Sequence, residues 1–147
     1  MGAIWREGKH PLAGLAGADR QATLLTALGI EILEAGDDWL KASMPVDGRT
    51  HTPYGLLHGG ASVALAETLA SWAGSCSVEP GKMCVGMEIN ANHVRPVRKG
   101  MVYGLTRPDA LGRTTQVWTT RISDEADRLV CVSRMTLAVV PVRAEPS

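Results

Sequence analysis

The chain has 147 residues, 45% of them hydrophobic and 20% charged, the composition of ordinary globular material with room for one domain and a real core. Fifteen basic and fifteen acidic residues cancel, so neither nucleic acid nor a membrane surface is indicated as a partner. No stretch is long and apolar enough to span a bilayer, and the run from Pro11 to Ala18, broken by Gly14 and Gly17, reads against an export signal.

The residues through Gly17 are Gly/Ala-rich and should wrap the surface or form a turn around Trp5. Asp19 can cap a short helix reaching Leu28, with Gly29 as its stop, so residues 1–28 read as an N-terminal turn and short helix. Ile30 to Glu34 and Trp39 to Met44 alternate apolar and polar around Gly36-Asp-Asp, which predicts a hairpin. A polar loop from Pro45 to Pro53 carries Arg49 and His51, each open to a binding role or to that of a solvated connector. Residues 57–76 read as one central helix. After a turn at Glu79-Pro-Gly-Lys come four strand-like runs, Cys84 to Arg95, Gly100 to Leu111, Thr114 to Ser123 and Leu129 to Val140. This plan predicts a single α+β domain over 1–147, a curved antiparallel sheet wrapped around one helix, with Ala61, Ala64, Ala66, Ala70 and Ala73 allowing close approach.

The central helix has one charge. Between Arg49 and Glu79 the sole Asp, Glu, Lys or Arg is Glu67, so the helix has no charged face and is expected to be enclosed on all sides. Its acid then sits on a narrow wet side, pairs with a distant Arg, or serves as a catalytic base or nucleophile in a cleft. The flanking residues favour catalysis. His58, Gly59 and Gly60 open the helix, where backbone N–H groups lack partners and glycine allows close approach to them, a polarising site for a carbonyl or anion. Gly59 and Glu67 are eight positions apart, about 12 Å along the axis. One carbonyl cannot touch both on one helix, so a shared site implies two copies of the chain.

The run Pro53-Tyr-Gly-Leu-Leu-His-Gly-Gly-Ala-Ser-Val-Ala-Leu-Ala-Glu-Thr-Leu-Ala-Ser, followed by Asn90-Ala-Asn-His-Val-Arg-Pro and Leu111-Gly-Arg, resembles the hotdog-fold thioesterases of the Arthrobacter-type 4-hydroxybenzoyl-CoA and PaaI-like family. The likeness extends from about Ile4 to Val140. It is greatest toward the branches that hydrolyse 1,4-dihydroxy-2-naphthoyl-CoA in menaquinone synthesis and that proofread enterobactin assembly. The resemblance implies a hotdog fold and hydrolysis of an aromatic or polycyclic acyl-CoA such as dihydroxynaphthoyl-CoA or a hydroxybenzoyl-CoA. It also implies a cytoplasmic homodimer with shared active sites, assembled as a dimer-of-dimers tetramer. An acyl or aryl carrier protein as substrate, and a non-catalytic acyl-CoA sensor, are the rival readings.

By the same resemblance Glu67 is the catalytic carboxylate, acting as nucleophile or as base toward water. The Gly59 N–H polarises the thioester carbonyl, and His58 orients the thioester or caps the helix. Ser71, one turn beyond Glu67, bonds water or the aryl ring, or is small for packing. His93 and Arg95, two apart and therefore on one sheet face, meet substrate and the CoA end, with Arg98, Lys99 and Arg113 as further phosphate contacts. Gly86 admits the pantetheine arm or marks a strand bulge. Relatives carry Gln where this chain has Thr52, a shorter residue facing the same carbonyl or water. The four histidines lack ligand-like clustering, and Cys76, Cys84 and Cys131 form no C-x-x-C pair, so no metal or organic cofactor is expected and the thiols should be buried and reduced.

Overall fold

The computed structural model describes residues 2–13 and 22–144. Its elements are α1 (Leu24–Leu28), β1 (Glu31–Ala35), β2 (Leu40–Val46), α2 (Gly59–Cys76), β3 (Lys82–His93), β4 (Gly100–Leu111), β5 (Thr115–Asp124) and β6 (Leu129–Pro141). Six strands form one antiparallel sheet in the order β1-β2-β4-β5-β6-β3, and α2 packs against every strand from β2 to β6. This is the α+β plan the alternation predicts, one antiparallel sheet on one long helix, and it agrees with the hotdog fold that the resemblance implies. The α1 cap proposed at Asp19 lies outside the described residues. The helix seen there starts at Leu24 behind Thr23 and ends on Gly29 at φ 70°, a left-handed position that suits glycine.

Helix and sheet meet through small residues on one side and large ones on the other. Leu65, Leu69, Ala66, Ala70 and Ala73 are buried against Trp118, Ile122, Met135 and Leu137. A methyl group on Gly104 would stand 2.7 Å from Leu69 Cδ1, so glycine sets how closely β4 approaches the helix. The buried polar groups inside this core are paired: Trp118 Nε1 donates to Gln116 Oε1 at 2.8 Å, Gln116 Nε2 to Ser77 Oγ at 3.0 Å, and Ser77 Oγ to the Gly74 carbonyl at 2.8 Å.

The N-terminal strap is anchored rather than loosely draped. Lys9 Nζ reaches the carbonyls of Ser75, Val78, Glu79 and Lys82 at 2.9–3.3 Å, placing a cation on the last turn of α2 and on the turn that follows it. Trp72 Nε1 donates to the Pro11 carbonyl at 3.0 Å, so residues 9 and 11 are fixed from two sides. Replacing Lys9 by Met should lower unfolding stability by about 1–3 kcal/mol, read as a lower urea midpoint at unchanged slope. An unchanged midpoint would show the strap to be energetically idle.

Candidate active site

One side of α2 is not enclosed. Gly60 and Glu67 are exposed, Val63, Ala64 and Ser71 half-buried, while the faces toward the sheet are buried. The expectation of a fully covered helix is corrected here. β3 is the last strand of the sheet, so one long edge and the helix side above it stay open. Met83, Val85 and Met87 on that strand are exposed apolar residues, Met87 at 63%, in a bulge between Gly86 and Glu88. A long apolar edge strand is the kind of surface proteins normally cover.

Glu67 has neither a hydrogen bond nor an ion pair among the described residues, so none of the described arginines is its partner. Its Oε1 looks across to Gly86, where a methyl group would stand 3.1 Å from that oxygen and 2.5 Å from Met135 Cε. Glycine at 86 therefore keeps space open in front of the carboxylate, beside the Met87 bulge. Ser71 lies one turn on, its hydroxyl 4.0 Å from Met135 Sδ.

At the helix start, His58 is the N-cap and its Nδ1 accepts the Gly60 N–H at 2.8 Å. Ala61 and Ser62 N–H donate to the His58 carbonyl. The Gly59 N–H has no acceptor among the described residues. The His93 ring lies over this glycine, its Nε2 3.0 Å from where a Cβ on Gly59 would be. His58, Gly59 and His93 thus form one cluster, and Glu67, Gly86 and Ser71 another, a helix segment apart.

The preceding loop is folded tightly against the β3–β4 connection: Leu57 N–H donates to the Val97 carbonyl at 2.8 Å, and His51 Nε2 sits 2.9 Å from the Arg98 carbonyl. Arg49 binds Asp47 at 2.8 Å, and these hydrogen bonds hold the Asp47 carboxyl down at about 2. Both loop residues left open by the sequence thus have structural partners. Thr52 turns its hydroxyl onto the N–H groups of Tyr54 and Leu56 at 3.3 and 3.4 Å, while Gly55, at φ 73°, donates to the Thr52 carbonyl. The tip residue Tyr54, passed over in the sequence, is 85% exposed.

Arg95 is not on the His93 sheet face, because β3 ends at His93. Arg95 is in the loop beyond, with Nε 3.3 Å from the Leu129 carbonyl. Arg98 and Lys99 are exposed on the same loop. Arg113 is elsewhere, in the β4–β5 turn beside Arg6, Ser77 and Lys82, around a cavity of about 360 Å³ at the far end of α2.

A second, larger groove of about 760 Å³ opens beyond Ser71, between α2, the start of β3, α1 and the strap. Leu25, Thr68, Trp72 and Met83 line it. No sequence pattern announces this groove, because one wall is the aperiodic segment that Lys9 and Trp72 hold in place. Cys76 and Cys84 also border it, and burial pushes both thiols up to about 11 despite Lys9 nearby, so at neutral pH they remain protonated and poor nucleophiles. Among the described residues no three His, Cys, Asp or Glu side chains cluster as metal ligands, and no helix is long and apolar enough to cross a membrane.

Residues 54–131 match the model of a family described as the thioesterase superfamily. A proofreading thioesterase, EntH, of Cronobacter turicensis is 49% identical over 137 residues, covering 93% of this chain and 98% of its own. A thioesterase of Haemophilus influenzae has a crystal structure that superimposes with a TM-score of 0.90 at 47% identity, over 98% of this chain and 99% of that one. A Pseudomonas aeruginosa thioesterase, crystallised with alanine in place of a glutamine, gives 0.89 at 45% identity over 95% and 100%.

Proposed function

The chain belongs to the thioesterase superfamily and is a thioester hydrolase, and from that premise we propose that it hydrolyses an aromatic or polycyclic acyl-CoA to the free acid and CoA. The observation that carries this reading is the unpartnered Glu67 carboxylate, open toward Gly86, with an apolar groove beginning one turn further along the helix at Ser71. The groove has the size of a small-molecule site, and Leu25, Trp72 and Met83 in its wall suit an apolar acyl group more than a polar head. The free Gly59 N–H polarises the thioester carbonyl, and Glu67 attacks the carbonyl carbon or deprotonates the attacking water. His58 acts through its cap, holding the first turn in place. His93, over Gly59, lies against the thioester. Arg95, Arg98 and Lys99 offer charge to the CoA phosphates from the loop beside it, and Gly86 gives the pantetheine arm a close approach to the backbone.

Thr52, at the position where the resemblance expects Gln, shapes the loop through its hydroxyl and leaves the carbonyl to the helix N-terminus. Arg113 reaches the CoA end if it belongs to a neighbouring subunit's surface. The assembly we propose is a homodimer paired along β3, itself able to form a dimer of dimers in the cytoplasm, with each site built from both chains. The exposed apolar edge of β3 supports it.

A second reading is favoured by the likeness to EntH: hydrolysis of aryl groups misloaded on a carrier protein. Steady-state assays of benzoyl, hydroxybenzoyl, dihydroxynaphthoyl and aliphatic acyl thioesters, each on CoA and on an aryl carrier protein, separate the two. The CoA reading expects a kcat/KM on an aryl-CoA equal to or above that on the matching carrier. A carrier preference of more than about tenfold, equal to about 1.4 kcal/mol, selects proofreading.

A further inference from the structure

The short hairpin ahead of α2 closes on itself and lifts one aromatic ring clear of the fold. His58 N–H donates to the Thr50 carbonyl at 2.8 Å and Thr52 N–H to the Leu56 carbonyl at 2.7 Å, with His51 bridging Leu57 across the two arms. The base of the hairpin is therefore the N-cap of α2, and Tyr54 at its tip is four residues from His58, no more than about 14 Å away. The tip is complete without the Tyr54 side chain, because Thr52 Oγ1 and the Thr52 carbonyl take its N–H groups. The ring itself is 85% exposed and has no hydrogen bond or cation–π partner among the described residues.

The loop tied to this hairpin through Val97 and Arg98 brings charge to the same place. Arg95, Arg98 and Lys99 are exposed there and have no acid partner among the described residues. Their loop is fixed at both ends: Val94 and Arg95 N–H donate to the Val130 carbonyl at 2.9 and 3.3 Å, and the Glu125 carboxylate accepts the Met101 N–H at 3.2 Å. A presented aromatic face beside three unpaired cations is the chemistry that recognises a nucleotide, cations for its phosphates and a flat ring for its base. Resting on the reading of a CoA thioester as substrate, we infer that Tyr54 is a substrate-binding residue, whose ring stacks on the adenine of CoA while Arg98 and Lys99 hold the adjoining phosphates. The hairpin base sets the carbonyl at the helix start, and its tip holds the far end of the same molecule.

The test uses the full-length protein and matched thioesters of one acyl group: benzoyl-CoA, benzoyl-phosphopantetheine, which lacks the nucleotide, and benzoyl-loaded aryl carrier protein. Wild type should favour CoA over phosphopantetheine by about tenfold in kcat/KM. Tyr54→Ala should remove most of that advantage through KM on CoA, with kcat unchanged and the phosphopantetheine ester within about twofold. Tyr54→Trp, which keeps a stacking ring, should retain the advantage. Calorimetric Kd values for CoA and for phosphopantetheine should divide in the same way. Equal losses on the CoA and phosphopantetheine esters would make Tyr54 a subunit or acyl-end contact and overturn the assignment, as would a wild type indifferent to the nucleotide; both leave the hydrolase reading intact. A loss confined to the carrier protein makes the tip a protein-docking surface and overturns it as well. Turnover of aliphatic but not aryl thioesters overturns the aryl reading alone, since the Tyr54 comparison then runs unchanged on matched aliphatic thioesters.

Discussion

Replacing Glu67 by Gln is expected to lower kcat by about 10²–10⁴-fold on every acyl thioester the protein accepts, with thermal stability unchanged to within about 0.5 kcal/mol. Both halves follow from the same geometry. The carboxylate is exposed and bonded to nothing among the described residues, so the fold loses no contact when its charge is removed, and Gln occupies nearly the same volume. The reaction loses much more. An amide is neither a base for water nor a nucleophile able to form a mixed anhydride, and both routes require the ionised carboxyl. The substitution also leaves Gly59, His93 and the groove untouched, so KM or the Kd of a non-hydrolysable thioether analogue should change by less than about threefold. A variant that keeps wild-type kcat would remove Glu67 from the chemistry and move the search to His93, whose ring lies over Gly59. A variant that loses activity together with stability would make Glu67 structural, against its exposure.

Glu67 could be picked out from sequence because a single acid in a long uncharged segment is conspicuous, yet its setting was misread. Charge depletion records that a surface is covered, not what covers it. Here the sheet covers Leu65, Leu69 and Ala73, and among the described residues Gly60 and Glu67 stay exposed with Val63 half-buried between them. The strands were legible for a related reason: alternation such as Gln116, Trp118, Thr120 and Ile122 inside against Val117, Thr119 and Arg121 outside repeats with the period of the pleat. Boundaries moved by one or two residues where local bonds decide them, as at His58, which caps α2 and so starts it at Gly59. The strap was not legible. Its order depends on Lys9 and Pro11 meeting groups more than sixty residues away, and no local pattern encodes such a meeting. Arg95 was misplaced because a period-two rule was carried past the end of β3.

Mixing Glu67→Gln subunits with Gly59→Val subunits, each inactive alone, is expected to restore about a quarter of wild-type activity after random reassociation. The number comes from symmetry: half of the dimers formed are mixed, and each mixed dimer holds one site with both residues intact and one with neither. The homodimer proposed along β3 accounts for this result. Glu67 faces Gly86, and Gly59 faces His93, along a strand that runs opposite to the helix. In the homodimer we propose, a two-fold axis passing beside Val63 on α2 and between Ile89 and Asn90 on β3, the midpoints of Gly59 to Glu67 and of Gly86 to His93, would bring Glu67 of each chain toward the helix start of the other. Edge-to-edge pairing in that register continues the antiparallel ladder across the axis and covers part of the apolar edge that Val85 and Met87 leave open. Gly59→Val disables the helix start alone, because the added side chain meets the His93 ring at about 3 Å or less and blocks approach to the free N–H. If dimers shown by native mass spectrometry to be mixed recover no activity, Glu67 and Gly59 do not serve one carbonyl.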